Sequence, residues 1–205
     1  MAGDLVFYTN PMSRGRVIRW MLEEVGAPYE TVILEWGNAA QFADYRRINP
    51  MAKIPAIVHA GRTVTETPAI CAYLADAFPK ASLAPTEAER ADYYRWLFFT
   101  AGPAEAAMVN KALGVEVAPD MQRMVGYGSY DRMVDVLEQA VAAKPYIAGD
   151  RFTAADVYIG SQIGWGMGVG MLPRREALGA YVGRVTSRPA WKRAQELDGP
   201  LPGAS

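Results

Sequence analysis

The chain has 205 residues, of which 51% are hydrophobic and 21% charged, and its 21 Lys and Arg are balanced by 22 Asp and Glu. Because the basic residues form no run, we predict no nucleic-acid partner. No apolar stretch approaches the ~20 residues that span a bilayer, and the N-terminus does not resemble a signal peptide. The single cysteine, Cys71, excludes an internal disulfide. These features predict a cytoplasmic protein with no membrane partner.

Strand and helix patterns alternate over the first 80 residues. Leu5 to Thr9 is typical of an apolar strand, and an amphipathic helix follows the break at Asn10-Pro11 and ends at Gly26. A strand, a helix, a hairpin of two strands and a third helix come next. Their predicted ranges are Tyr29 to Leu34, Ala39 to Arg47, Pro55 to Val58, Thr63 to Thr65, and Ile70 to Phe78. The predicted order is β-α-β-α-β-β-α.

Beyond Pro85 the sequence favours helices only. Thr153 and Asp156 have the spacing of a capping box, and we assign both to folding because capping explains them without a ligand. Ala81 to Thr86, which contains Pro85, is the predicted linker. We therefore predict two domains, residues 1–80 and an all-α domain over residues 86–205.

Four segments in this order resemble the cytosolic glutathione S-transferases, of bacterial type. They are Phe7 to Arg16, Asn49 to Pro55, Glu66 to Ile70, and Phe152 to Asp156. The resemblance covers nearly the whole chain. It implies an α+β thioredoxin-like N-terminal domain followed by an all-α C-terminal domain, with glutathione as co-substrate, no metal, and a homodimer.

The resemblance places the catalytic turn between the first strand and the first helix. A free thiol has a pKa near ~8.5, so the site must stabilise the thiolate, which is the nucleophile. We choose Ser13 as the hydrogen-bond donor to the sulfur, in a serine-type turn, and Asn10 as the second candidate. Ser13 is equally suited to cap the first helix without touching a ligand. Tyr8 is a weaker candidate because its position inside the strand favours packing.

The same resemblance assigns the rest of the glutathione site. Lys53 would meet the glycine carboxylate, and a cis bond at Ile54-Pro55 would let the backbone of Ile54 pair with the cysteinyl part. Glu66 would bind the ammonium of the glutamyl end and Thr67 its carboxylate, although capping of the third helix is an alternative for both. Arg14 would add positive potential.

The second substrate is expected to be a small hydrophobic electrophile bound between the domains. We assign its site to Met12, Tyr94, Phe98 and Trp165. The predicted reaction is attack by the glutathione thiolate on that electrophile. Glutathione-dependent reduction or peroxidase activity is one alternative. Because Met12 stands where several serine-type relatives have serine, a regulatory protein that binds glutathione without turnover is another.

Overall fold

The computed structural model describes residues 4–200, which divide into two compact units. The first contains residues 4–84 together with residues 187–200, and the second is Pro85–Thr186. The boundary after Ala84 lies within the predicted linker. Residues 1–3 and 201–205, the outer ends of the two predicted domains, lie outside the described residues.

A four-stranded sheet forms the centre of the first unit. Its strands are β1 (Leu5–Thr9), β2 (Glu30–Ile33), β3 (Ala56–His59) and β4 (Arg62–Thr65), in the spatial order β2-β1-β3-β4. Strand β1 is parallel to β2 and antiparallel to β3, and β3 is antiparallel to β4. Helices α1 (Gly15–Val25), α2 (Ala39–Tyr45) and α3 (Thr67–Ala77) complete the predicted β-α-β-α-β-β-α order. The thioredoxin-like prediction is confirmed.

Helix α1 forms because its apolar residues fall on one face, which packs against the sheet. Ile18, Met21 and Leu22 are fully buried, as is Phe7 in the adjoining strand β1. The helix ends where Gly26 adopts a left-handed conformation (φ 66°) and its N–H donates to Leu22 O at 3.0 Å. This core fixes the position of the segment that joins β1 to α1.

The second unit is helical, as predicted. Its helices are α4 (Arg90–Phe99), α5 (Glu105–Ala112), α6 (Tyr130–Ala143), α7 (Ala154–Gly168) and α8 (Glu176–Thr186). Pro85–Thr186 is described throughout, and its only β-pairing is an isolated bridge between Tyr146 and Gly149. None of the helices within residues 4–200 combines the length and the apolar character needed to cross a membrane.

The end of the chain differs from the predicted domain boundaries. Helix α9 (Pro189–Asp198) belongs to the first unit, where it packs along α1, and not to a helical domain that continues to residue 205. The sequence suggested otherwise because α9 is a helix and follows other helices in the chain. The buried residues of α9 are Ala190, Ala194 and Asp198.

Candidate functional site

The sheet brings three of the predicted site segments to one edge. Tyr8 near the end of β1 lies opposite Ala56 at the start of β3, and Ala56 lies opposite Thr65 at the end of β4. The residues that follow β1, precede β3 and follow β4 therefore share this edge. They include the candidates Asn10, Pro55 and Glu66, which lie far apart in the sequence.

The turn between β1 and α1 is held by its own side chains. Asn10 is buried, and its Nδ2 donates to Leu34 O at 2.8 Å while its Oδ1 accepts from the N–H of Met12 at 2.8 Å. The Ser13 hydroxyl donates to Asn10 O at 2.7 Å and accepts from the N–H of Gly15 at 2.9 Å. Ser13 therefore stabilises the start of α1, and its hydroxyl proton is directed into the turn.

Gly15 is required where α1 meets β1. A Cβ atom at this position would lie 1.9 Å from Thr9 Oγ1. Thr9 is fully buried, and its Oγ1 has no hydrogen-bond partner among residues 4–200. The lack of a side chain at Gly15 thus lets the helix begin directly against the end of the strand.

Hydrogen bonds from α2 and from the loop that follows it hold the segment before β3 in place. The Tyr45 hydroxyl and Asn49 Nδ2 both donate to Lys53 O, at 2.7 and 2.8 Å. Burial raises the pKa of Tyr45 to about 12, so its hydroxyl stays a donor at neutral pH. The Ile54-Pro55 bond is cis, as predicted, and the Lys53 side chain is exposed. Ala52, just before this segment, has a positive φ of 54°.

Glu66 and Thr67 form the start of α3. Glu66 is exposed and has a left-handed φ of 66°, which is unusual for a residue with a side chain. Within residues 4–200 its side chain makes no capping hydrogen bond, so the capping alternative for Glu66 is not observed. Thr67 is buried as the first residue of the helix.

The remaining candidates are exposed side chains on two different units. Arg14 and Met12 belong to the β1–α1 turn, and Met12 is 51% exposed. Tyr94 and Phe98 lie one turn apart on α4, with exposed fractions of 42% and 72%, and Trp165 on α7 is 42% exposed. The aromatic side chains thus offer apolar surface on the second unit.

Two residues outside the site are placed by packing. Cys71 on α3 is completely buried in the core, and burial raises the pKa of its thiol well above the ordinary value. His59 at the end of β3 is half-buried because its ring packs against Tyr73 and Phe78. Its Nδ1 lies 3.0 Å from the Tyr73 hydroxyl.

Sequence reasoning missed a buried polar cluster that joins α1 to α9. Arg19 on α1 is buried, and its Nε lies 3.1 Å from Asp198 Oδ1 on α9. Its Nη1 donates to the Tyr29 hydroxyl at 2.9 Å and to Thr31 Oγ1 at 2.8 Å. A signal for this contact was present in the sequence. The charged residues of α1 are complementary to those near the end of the chain, in antiparallel order: Arg19 pairs with Asp198, Glu23 with Arg193 and Glu24 with Arg188.

Comparisons with known proteins agree with this arrangement. The family model "Glutathione S-transferase, N-terminal domain" matches residues 3–76. An uncharacterized GST-like protein of Streptococcus mutans is 30% identical, over 95% of this chain and 82% of the relative. The disulfide-bond oxidoreductase YghU of Escherichia coli is 28% identical, over 96% of this chain and 77% of the relative.

A solved structure extends the similarity over nearly the whole chain. A sphingomonad glutathione S-transferase complexed with glutathione is 28% identical and has a TM-score of 0.75, covering 96% of this chain and 100% of that one. The fold and site define a thioredoxin-like domain with an added helical unit. On the identity and coverage of the Streptococcus relative, the chain belongs to the glutathione S-transferase family.

Proposed function

We propose that this protein binds glutathione along the described sheet edge and activates its thiol for attack on a hydrophobic electrophile. The observation that carries the proposal is the convergence of the β1–α1 turn, the cis Ile54-Pro55 segment and the start of α3 at one edge. A relative of the same fold is known in complex with glutathione, which supports this ligand. Homodimerisation, implied by the resemblance, and a cytoplasmic location stay predictions.

In this proposal the glutathione sulfur lies at the junction of β1 and α1. The N-terminus of α1, an 11-residue helix, carries partial positive charge that favours an anion. The thiol loses its proton to solvent, and the thiolate then forms a C–S bond to the electrophile. A leaving group departs with the electron pair of the broken bond, or an acceptor carbon later takes up a proton. Each ~1.4 kcal/mol of preferential thiolate stabilisation lowers the thiol pKa by about one unit.

Ser13 is the proposed donor to the sulfur, with one condition. Its hydroxyl proton is directed to Asn10 O, so donation to sulfur requires rotation of the hydroxyl. Asn10 is the alternative, since one N–H of its amide is used by Leu34 O and a second N–H remains on the same nitrogen.

The start of α3 is proposed to receive the glutamyl end. The left-handed backbone of Glu66 is a conformation that occurs mainly where surrounding structure or function requires it. Backbone N–H groups in the first turn of α3 and the hydroxyl of Thr67 suit a carboxylate, and the exposed Glu66 side chain suits an ammonium group. Lys53 is proposed to meet the glycine carboxylate at the other end of the tripeptide.

A second candidate function is glutathione-dependent reduction of disulfides, because the Escherichia coli relative is named as a disulfide-bond oxidoreductase. Cys71 does not serve as a protein thiol for this chemistry, since it is fully buried. The balanced reaction would use two glutathione molecules. The thiolate of the first displaces one half of a disulfide, the second releases the other half, and oxidised glutathione is the product.

The test measures binding and turnover separately. Calorimetry measures glutathione affinity, and parallel assays follow conjugation of chloro-dinitrobenzene and reduction of hydroxyethyl disulfide. We expect binding and conjugation, with conjugation lost in Ser13→Ala and the bound thiol pKa raised. Tight binding without either turnover would support the regulatory alternative, and no binding would refute the proposal. If Ser13 only caps α1, Ser13→Ala lowers stability by about 1 kcal/mol and leaves the thiol pKa unchanged.

A further inference from the structure

Helix α9 is tied to α1 by polar contacts at both ends of α1. At the C-terminal end, Arg188 donates through Nε and Nη2 to the two carboxylate oxygens of Glu24, both at 2.7 Å. Arg193 pairs with the neighbouring Glu23. These ion pairs lie more than two helical turns from the β1–α1 turn.

The N-terminal end of α1 is tied through a single arginine. Arg16 Nη2 donates to Gln195 Oε1 at 2.6 Å and to Gly199 O at 2.8 Å, while its Nη1 lies 3.5 Å from Pro11 O. The guanidinium is planar and rigid, so its two amino groups hold a fixed separation. Arg16 therefore connects the end of α9 with the backbone of the turn that contains Asn10 and Ser13.

The buried Arg19–Asp198 pair holds this connection in place. Asp198 is the last residue of α9 and directly precedes Gly199, whose carbonyl accepts from Arg16. Arg19 and Asp198 are only 6% and 9% exposed, so water does not readily replace either partner in this ion pair. The acceptors of Arg16 are thus fixed to α1 by a neighbouring contact.

We propose that Arg16 and Gln195 are positioning residues for the sulfur site, through which α9 fixes the backbone of the β1–α1 turn. This inference rests on the proposed function for its chemical consequence. Preorganised donors stabilise an anion only when their geometry is held closely. Loss of the Gln195 acceptor removes one of the two contacts of Arg16 Nη2 and loosens the guanidinium, although Gly199 O still accepts from it. The Pro11 and Asn10 backbone can then shift, and stabilisation of the thiolate weakens.

The competing explanation is that Arg16 acts on the sulfur by its charge alone. Four substitutions distinguish this explanation from positioning of the turn. In Gln195→Ala the acceptor is lost and the charge of Arg16 is kept. In Gln195→Glu an acceptor is kept and a negative charge is added beside Arg16. Arg16→Lys keeps the charge and removes the planar fork, and Arg193→Ala is the matched control that loosens α9 at the far end of α1.

The measurement is the pKa of the glutathione thiol in the complex, from the ultraviolet absorbance of the thiolate. We expect Gln195→Ala and Arg16→Lys to raise this pKa by about half a unit, with Gln195→Glu and Arg193→Ala nearer to wild type. A larger rise in Gln195→Glu than in Gln195→Ala would overturn the inference in favour of charge. Equal shifts in Gln195→Ala and Arg193→Ala would also overturn it, because general loosening of α9 would then explain both.

A second readout needs no glutathione. Amide hydrogen exchange compares Ser13, whose N–H donates to Asn10 O at 3.0 Å, with Gly26, whose N–H donates to Leu22 O at the far end of α1. In Gln195→Ala we expect exchange at Ser13 to accelerate relative to Gly26, and in Arg193→Ala we do not. If the ratio of the exchange rates at Ser13 and Gly26 is unchanged in Gln195→Ala, the inference is refuted, whether or not the protein binds glutathione. A wild-type protein that fails to bind glutathione would refute the proposed function and not this inference.

Discussion

Helices α7 and α3 begin in opposite ways. At the start of α7, Asp156 Oδ2 accepts from Thr153 N at 2.8 Å and Thr153 Oγ1 at 3.0 Å, and its Oδ1 accepts from Ile147 N and from the Tyr181 hydroxyl, both at 2.8 Å. At the start of α3, Glu66 occupies the cap position with a left-handed backbone and, within residues 4–200, no side-chain capping bond.

The unsatisfied N–H groups at the start of a helix can serve either folding or ligand binding. Backbone N–H groups in the first turn of a helix need acceptors. In α7 the Thr153 side chain accepts from the N–H of Asp156, and the Asp156 carboxylate accepts in return from the N–H of Thr153, so this end is capped by the protein itself. In α3 the Glu66 side chain is exposed and does not cap the helix. The N–H groups of its first turn can therefore bind an acceptor from a ligand, which we propose is the glutamyl carboxylate.

The substitution that should destabilise the protein most is Asp156→Ala, at the start of α7. This change removes the acceptor of four hydrogen bonds in a fully buried site, so we expect a loss of about 3 to 5 kcal/mol in the free energy of unfolding. Capping alone would cost only ~1 kcal/mol. Urea denaturation measures the loss. Tyr181→Phe, which removes one of the four donors, is the matched variant and should cost about 1 kcal/mol.

Smaller effects are expected from substitutions of Thr67 and Thr153, one on glutathione binding and the other on stability. Thr67→Val should weaken glutathione binding about tenfold with little change in unfolding free energy, because the lost hydroxyl serves the ligand. Thr153→Val should lower the unfolding free energy by about 1 kcal/mol and leave affinity unchanged, because its hydroxyl bonds to Asp156. Calorimetry and denaturation of both variants give the test. If Thr67→Val costs only stability, the start of α3 is a folding cap like that of α7.

Much of the fold was predictable from local patterns. The limits of β1, the stop at Gly26, the hairpin turn at Ala60-Gly61 and the capping box before α7 all follow from rules that involve residues within a few positions of one another. The cis bond at Ile54-Pro55 was predictable only from the family resemblance, because most bonds before proline are trans.

The parts that local patterns did not predict depend on contacts between distant residues. An arginine such as Arg19 is ordinarily expected at the surface, and its burial is explained only by its contact with Asp198, 179 positions later. The placement of α9 in the first unit likewise follows from its contacts with α1, a helix distant from it in the sequence. The conflict between Ser13 as donor and as cap also needed the structure, since only the hydrogen-bond partners show where its hydroxyl points.

Helix α4 begins in a third way, with a carboxylate that is not isolated from solvent. Glu89 occupies the cap position, and its Oε2 accepts from Thr86 N at 2.8 Å and from Arg151 Nη2 at 2.5 Å. Burial raises the pKa of Glu89, but the Arg151 guanidinium and the Thr86 amide lower it by more, so the pKa lies below its ordinary value. This helix start should therefore depend on pH.

The smallest expected effect is the pH dependence of this contact. A carboxylate whose pKa is lowered by folding contributes stability above its unfolded pKa, near ~4.3, and loses it as the pH falls through the folded value. Glu89→Gln should therefore be less stable than wild type at pH 7, and the difference should shrink as the pH falls below ~4. Denaturation over this range measures it, with exposed Glu87→Gln as the control that should show no such convergence. A difference that stays constant with pH would mean that the contacts of Glu89 with Thr86 and Arg151 contribute through their geometry and not through the charge of the carboxylate.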